Sequence, residues 1–362
     1  MAKEQEQDRS SEAEVLSKEL VATLGCIEQY RRFIFTPLMK KPLAELDEAK
    51  HRLNDVVRSR FPVQKTRENH ARHDILVESA EELIKAAELL LNTPDDNFRH
   101  LIMQVMRGLR ITCRVLEHLF PFHLRFDSLN QYLMEPGAGL PDRRPETGVE
   151  GSGLFHVGLE KDSYGRGSVS FYIPDTIPRG ERRPLIIALH GGFGHGRDFI
   201  WTWLREARTK RYVLMAPTSN GNTWALRDPN NDMARIHTAL NHIEERWPVD
   251  RDRMLLTGIS DGATFALAAC IRDRLPFSAY AAVAGTLPPG DLTRAKGKRV
   301  YWVHGALDWM FPVSQARMFN KLLKESGADM TFREIPDLSH SYPREENLRI
   351  LDWFESVRSS GS

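Results

Sequence analysis

Gly258-Ile259-Ser260-Asp261-Gly262 follows the apolar run Met254-Leu255-Leu256-Thr257 and leads into Ala263-Thr264-Phe265-Ala266-Leu267-Ala268-Ala269. The first run reads as a buried strand and the last as a helix. Between them the chain must reverse within a few residues. Small flanks allow this: Gly258 lets the strand turn and Gly262 lets the new helix lie close to it. The serine at the apex is lifted off the end of the sheet, where a helix N-terminus directs backbone N–H groups toward developing negative charge.

On either side of this turn, residues 153–358 alternate uniform apolar runs with amphipathic ones. Strands are expected at 154–160, 168–173, 184–189, 212–216, 278–284, 299–304 and 330–335, and helices at about 198–210, 232–247, 313–326 and 345–357. Apolar strands alternating with helices indicate a largely parallel sheet covered on both faces, with its site at the carboxyl ends of the strands.

The part before about residue 135 has a different period. Leu16, Leu20, Leu24, Ile27 and Ile34 share one face, and so do Leu43, Leu46, Leu53, Val56 and Val57. Ile75, Leu76, Leu83, Ile84, Ala87, Leu90 and Leu91 form a third stripe, and Phe98, Leu101, Ile102, Val105, Met106 and Leu109 a fourth. Apolar residues three and four apart predict helices packed on one another. The expected organisation is a helical domain over 1–135, serving as cap, packing unit or homo-oligomer contact. A Pro- and Gly-rich linker over 136–152 follows, then a catalytic domain over 153–362.

Composition narrows the function classes. The 362 residues carry a net charge of +1 with 27% charged side chains, which gives no electrostatic case for nucleic acid or an anionic membrane. No apolar run approaches the roughly 18 residues of a membrane span, and the polar start Met1–Asp8 does not read as a signal peptide. Cys26, Cys113 and Cys270 are far apart in apolar surroundings and read as buried hydrophobes in a reducing, cytoplasmic chain. His70 and His73 lie three apart without a third ligand, so they read as a solvated face and no metal is expected. The basic run Arg58, Arg60, Lys65, Arg67 and Arg72 reads as surface. No cofactor is required by any motif.

The polar residues at the expected strand ends suit acyl transfer. Ser260 needs a base, and His340 in Asp337-Leu338-Ser339-His340 stands between the last strand and last helix. The base needs a carboxylate, for which Asp308 fits best, ahead of Asp291 and Asp337. The oxyanion would be held by the Asp261 N–H and by that of Gly192 or Phe193, in the turn His190-Gly191-Gly192-Phe193-Gly194. His190 and His304 read as turn-shaping residues. Trp224, Trp309, Met310 and Phe311 are candidate walls of a substrate pocket, with Trp201 and Trp203 nearby; core or interdomain packing is the equal alternative.

The order Ser260, Asp308, His340 resembles the α/β-hydrolase family, in its phospholipase/carboxylesterase or dienelactone-hydrolase-like branch. The residues that carry the resemblance are Leu189-His190-Gly191-Gly192, Pro217 with Trp224, Gly258 to Gly262, His304-Gly305-Ala306-Leu307-Asp308 and Ser339-His340. It covers residues 153–358. It implies an α/β-hydrolase fold with a mostly parallel sheet, preceded by the all-helical N-terminal domain. It also implies a Ser-His-Asp triad that hydrolyses a small-molecule carboxylic ester through an acyl-enzyme. Thioester or peptide hydrolysis uses the same residues, and a receptor that has lost catalysis uses the same fold. Where this branch carries Gln or Met after the nucleophile, the chain has Asp261.

Overall fold

The computed structural model describes residues 2–61, 71–92, 98–138, 152–158, 165–174, 181–272 and 275–356, with only the helical backbone described at 2–11, 71–74 and 98–99. His70, Lys65, Arg67, most of the expected linker and the side chains of Arg72 and His73 therefore lie outside the described residues. The chain divides into two compact units, Met1–Arg143 and Arg144–Ser362.

The first unit is helical: α1 Ala2–Phe33, α2 Lys40–Arg60, α3 Ala71–Leu91, α4 Phe98–Leu119 and α5 Asp127–Tyr132. Its apolar stripes become its interior. Leu16, Leu20, Leu24 and Ile27 of α1, Leu46 and Leu53 of α2, and Leu76, Leu83 and Leu90 of α3 are all buried. Helix α2 packs on α1 and α3, α4 packs on α3, and α5 returns to α1. Thr36 ends the α1–α2 connection by accepting the Leu38 N–H, which leaves Pro37 at a position where no N–H is needed. On α4 the buried face differs from the expected stripe. It runs through Val105, Gly108, Thr112, Val115 and Leu119, and Met106 is 36% exposed. Gly108 sets that face, because a Cβ there would stand 3.0 Å from the Leu90 side chain and hold α4 away from α3.

The second unit is built on a mixed, mostly parallel sheet. Its strands are β1 Gly153–Val157, β2 Val169–Ile173, β3 Arg183–Leu189, β4 Val213–Pro217, β5 Val249–Ile259, β6 Ala279–Val283, β7 Arg299–Gly305 and β8 Asp329–Ile335. Their order is β1-β2-β4-β3-β5-β6-β7-β8. The β1–β2 and β2–β4 pairs are antiparallel and the remaining pairs parallel. Apolar residues on both faces of β2, β4 and β6 are buried, as a sheet covered on both sides requires. The covering helices are α6 Gly196–Phe199, α7 Leu204–Lys210, α8 Asn230–Glu244, α9 Asp261–Cys270, α10 Val313–Glu325 and α11 Glu346–Glu355.

The expected α/β class with a helical first part is the one observed. One expected helix, over 198–210, is broken. Helices α6 and α7 are separated by the 3-10 turn Ile200–Thr202. Within the break, the buried Asn347 amide donates to the Thr202 carbonyl at 2.7 Å and ties it to α11. Among the described residues no helix is long and apolar enough to cross a membrane.

Candidate active site

Strand β5 passes directly into α9 at Ser260, whose backbone sits at φ 54 and ψ −118. A residue with a Cβ pays about 1–3 kcal/mol for such a conformation. The neighbouring packing holds it there. A Cβ on Gly258 would lie 2.5 Å from the Gly262 backbone, and one on Gly262 would lie 2.4 Å from the Leu189 carbonyl oxygen. Both glycines are thus fixed by contact: the first by the tight turn, the second by the approach of α9 to β3. The Ser260 N–H donates to Val283 of β6 at 2.9 Å, which ties the turn to the sheet.

The serine hydroxyl meets His340 Nε2 at 3.0 Å, and His340 Nδ1 meets Asp308 Oδ2 at 2.9 Å. The Asp308 side chain is wholly buried. Burial alone raises a carboxyl pKa. Here the hydrogen bonds from His340 and the Phe311 N–H outweigh it and hold Asp308 below its ordinary value. An ionised carboxylate only accepts, so His340 carries its proton on Nδ1 and leaves Nε2 to accept from Ser260. Asp308 Oδ1 also accepts the Met310 and Phe311 N–H groups at 2.9 and 2.8 Å, so the loop after β7 wraps its own carboxylate. The loop carrying His340 lies close to the end of β7, where a Cβ on Gly305 would stand 2.2 Å from the Leu338 carbonyl. Neither Asp291 nor Asp337 holds the His340 Nδ1 position; Asp291 instead caps a 3-10 turn through the Thr293 N–H at 3.1 Å.

The glycine turn after β3 reaches the same place. A Cβ on Gly191 would stand 3.5 Å from the Ser260 Cβ. Phe193, at φ 58, spends its N–H on the Asn222 carbonyl at 2.6 Å. Of the two N–H groups expected from this turn, that leaves Gly192. Asp261 is the first residue of α9, so its N–H has no helical partner.

Residues 228–356 match the phospholipase/carboxylesterase family. The second unit has the α/β-hydrolase fold. Over 235 residues the chain is 22% identical to an uncharacterised hydrolase of Acanthamoeba polyphaga mimivirus, a stretch covering 51% of this chain and 74% of that one. A crystal structure of a thermostable esterase is similar at 20% identity and a TM-score of 0.45, over 52% of this chain and 58% of its own length. The carboxylesterase of Bacillus cereus is similar at 15% identity and a TM-score of 0.43, over 57% of this chain and 96% of its own.

The second unit places the remaining expected residues unevenly. Trp309 and Phe311 pack edge-on against the His340 ring, with centroids 5.7 and 5.3 Å away, so both bear on the imidazole itself. Met310 is 43% exposed and Phe193 68% exposed. Trp224 is not at a rim. It is 2% exposed, donates its indole N–H to the His190 carbonyl at 2.7 Å and packs on the His190 and Phe265 rings. Trp201 and Trp203 are likewise buried.

Several supporting residues escaped the sequence reading. Asp232, buried on α8, accepts the Asn220 and Ala225 N–H groups at 2.9 and 2.7 Å and so shapes the loop after β4. That loop carries Asn222, which fixes Phe193, and Thr223, which donates to the Asp261 carboxylate. An acid two residues into a helix, following a Ser-Asn-Gly-Asn loop, is the only sequence signal for this clamp.

His190 and His304 support the candidate site as neutral rings. His190 is buried, donates from Nδ1 to the Gly191 carbonyl at 2.6 Å and accepts the Ser219 N–H at Nε2. Burial lowers its pKa from 6.5 to about 3. His304, also lowered, first by burial, donates from Nε2 to the Phe311 carbonyl at 2.8 Å. The unfolded chain takes up protons that these buried rings refuse. The His190 contribution is therefore complete above about pH 6.5 and is lost as pH falls toward about 3, and the His304 contribution is lost in the same direction. Each such group adds a slope of about 1.4 kcal/mol per pH unit. All seven tryptophans lie at or beyond residue 201, so their fluorescence reports the second unit alone. Denaturant unfolding followed by that signal should weaken steadily from pH 6.5 to 4.5, and His190→Gln should flatten the slope. An unchanged slope in that variant would remove His190 from the account.

Proposed function

We propose that the second unit is a serine esterase that cleaves small-molecule carboxylic esters through an acyl-enzyme. The observation that carries this reading is the hydrogen-bonded series Ser260 Oγ, His340 Nε2 and Nδ1, Asp308 Oδ2, at 3.0 and 2.9 Å. Ser260 attacks the acyl carbon while His340 takes its proton. Asp308 holds the imidazole in the required tautomer and stabilises the imidazolium. The carbonyl oxygen becomes an oxyanion between the Gly192 and Asp261 N–H groups, where loss of one donor costs about 3–4 kcal/mol of transition-state stabilisation. His340 then protonates the leaving alcohol, and next activates water to release the acid. The exposed side chains of Phe193 and Met310 offer apolar walls to the substrate. Trp309 and Phe311 act mainly by keeping His340 in place.

A fluorophosphonate probe, which reacts only with an activated serine, tests this directly. Wild type should label within minutes, and Ser260→Ala should not label at all. Labelling that survives in Ser260→Ala, or a folded wild type that does not label, would refute the assignment.

A further inference from the structure

Asp261 places a carboxylate where this chemistry least tolerates one. Its N–H is an oxyanion donor in the proposed mechanism, yet its side chain folds back over the same turn. A Cβ on Gly192 would lie 2.7 Å from Asp261 Oδ2, so the carboxylate lies against the residue that supplies the second donor. It is partly exposed, so it borders the mouth of the site rather than the core. A negative charge beside the donor turn opposes the developing oxyanion. The Thr223 hydroxyl donates to Oδ2 and offsets part of the charge, and the N-terminus of α9 offsets more. Neither cancels it.

We infer that Asp261 and Thr223 form a polar subsite that selects esters bearing a cationic group, such as a protonated amine, and rejects those bearing a carboxylate or phosphate. A cation seated against Asp261 neutralises the charge that opposes the oxyanion, so the attraction is worth more in the transition state than in the free enzyme. Such a gain appears in kcat as well as KM. The exposed Phe193 and Met310 side chains would take the apolar remainder of the same substrate. This inference rests on the esterase reading and specifies its substrate class.

The test uses matched 4-nitrophenyl and alkyl esters at several chain lengths, with a methyl, ammonium or carboxylate terminus on the acyl or the alcohol side. Wild type should prefer the ammonium ester to the carboxylate ester by about 100-fold in kcat/KM at low salt, the product of roughly tenfold attraction and tenfold repulsion. The ratio should shrink as ionic strength rises. Asp261→Asn keeps an acceptor for Thr223 and keeps the backbone N–H. It should bring the ratio close to unity and raise turnover of the neutral ester. Thr223→Val, which keeps the charge, should retain the preference. An unchanged ratio in Asp261→Asn, or an equal loss on all three esters, would overturn the subsite and leave the esterase reading standing. No turnover of any neutral ester by the folded wild type would overturn both.

Discussion

Ser260→Ala should fold as wild type does and lose ester turnover by roughly six orders of magnitude. The stability half of this expectation comes from the backbone. Alanine meets the same positive φ as serine, and the packing of Gly258, Gly262 and the Val283 carbonyl that enforces it is untouched. The kinetic half comes from chemistry. Without Oγ there is no acyl-enzyme, and His340 has no proton to take. The Gly192 and Asp261 donors remain and should leave about 10³–10⁴-fold acceleration over water. His340→Ala should cost about as much as Ser260→Ala, because a serine hydroxyl without its base is scarcely a nucleophile. The double variant should therefore be no worse than either single one. Steady-state kinetics on one activated ester, with active-site concentration fixed by titration, decides the matter. Additive losses in the double variant would mean that the two side chains do not act as one unit.

The fold class was readable because its signals are local and repeated. Strand β3 and the 254–257 part of β5 are apolar runs, and the helical stripes of α1 and α3 repeat at three and four residues; neither pattern needs a distant partner to be recognised. Ser260, Asp308 and His340 could be proposed for a related reason, since each stands in a turn just beyond an expected strand. What the sequence hid depends on which carbonyl meets which N–H. Phe193 and Gly192 are equivalent donors on paper, and only the Asn222 carbonyl distinguishes them. Trp224 follows a strand end just as a rim residue would, yet its indole is drawn under the glycine turn by the His190 carbonyl. The break between α6 and α7 is met by Asn347, far along the chain. Met106 fits a helical stripe, but the close approach of α4 to α3 at Gly108 rotates the buried face away from it. In each case a long-range contact accompanies the choice between local alternatives of similar energy.

Asp308→Asn should reduce turnover by about 10⁴-fold while leaving the fold intact, and the geometry indicates why so small a change costs so much. The asparagine oxygen has one good place to sit. The Met310 and Phe311 N–H groups, at 2.9 and 2.8 Å from the present Oδ1, demand an acceptor there. Putting the amide NH₂ in that place would set donor against donor twice. With the oxygen so committed, the NH₂ replaces Oδ2 and faces His340 Nδ1 at 2.9 Å. Nδ1 lies 3.1 Å from the oxygen position but 2.9 Å from the amide, so the exchange shifts His340 toward the tautomer with a lone pair at Nδ1 and its proton on Nε2, pointing at Ser260 Oγ. A base already protonated toward the nucleophile cannot accept from it. The same exchange removes the negative charge that stabilises the imidazolium. KM should change little, since nothing in contact with substrate has moved, and the loss should fall on kcat. Fluorophosphonate labelling should slow in parallel, because it needs the same activated serine. A loss below tenfold, or one confined to KM, would show that His340 is held in its working tautomer by something other than Asp308.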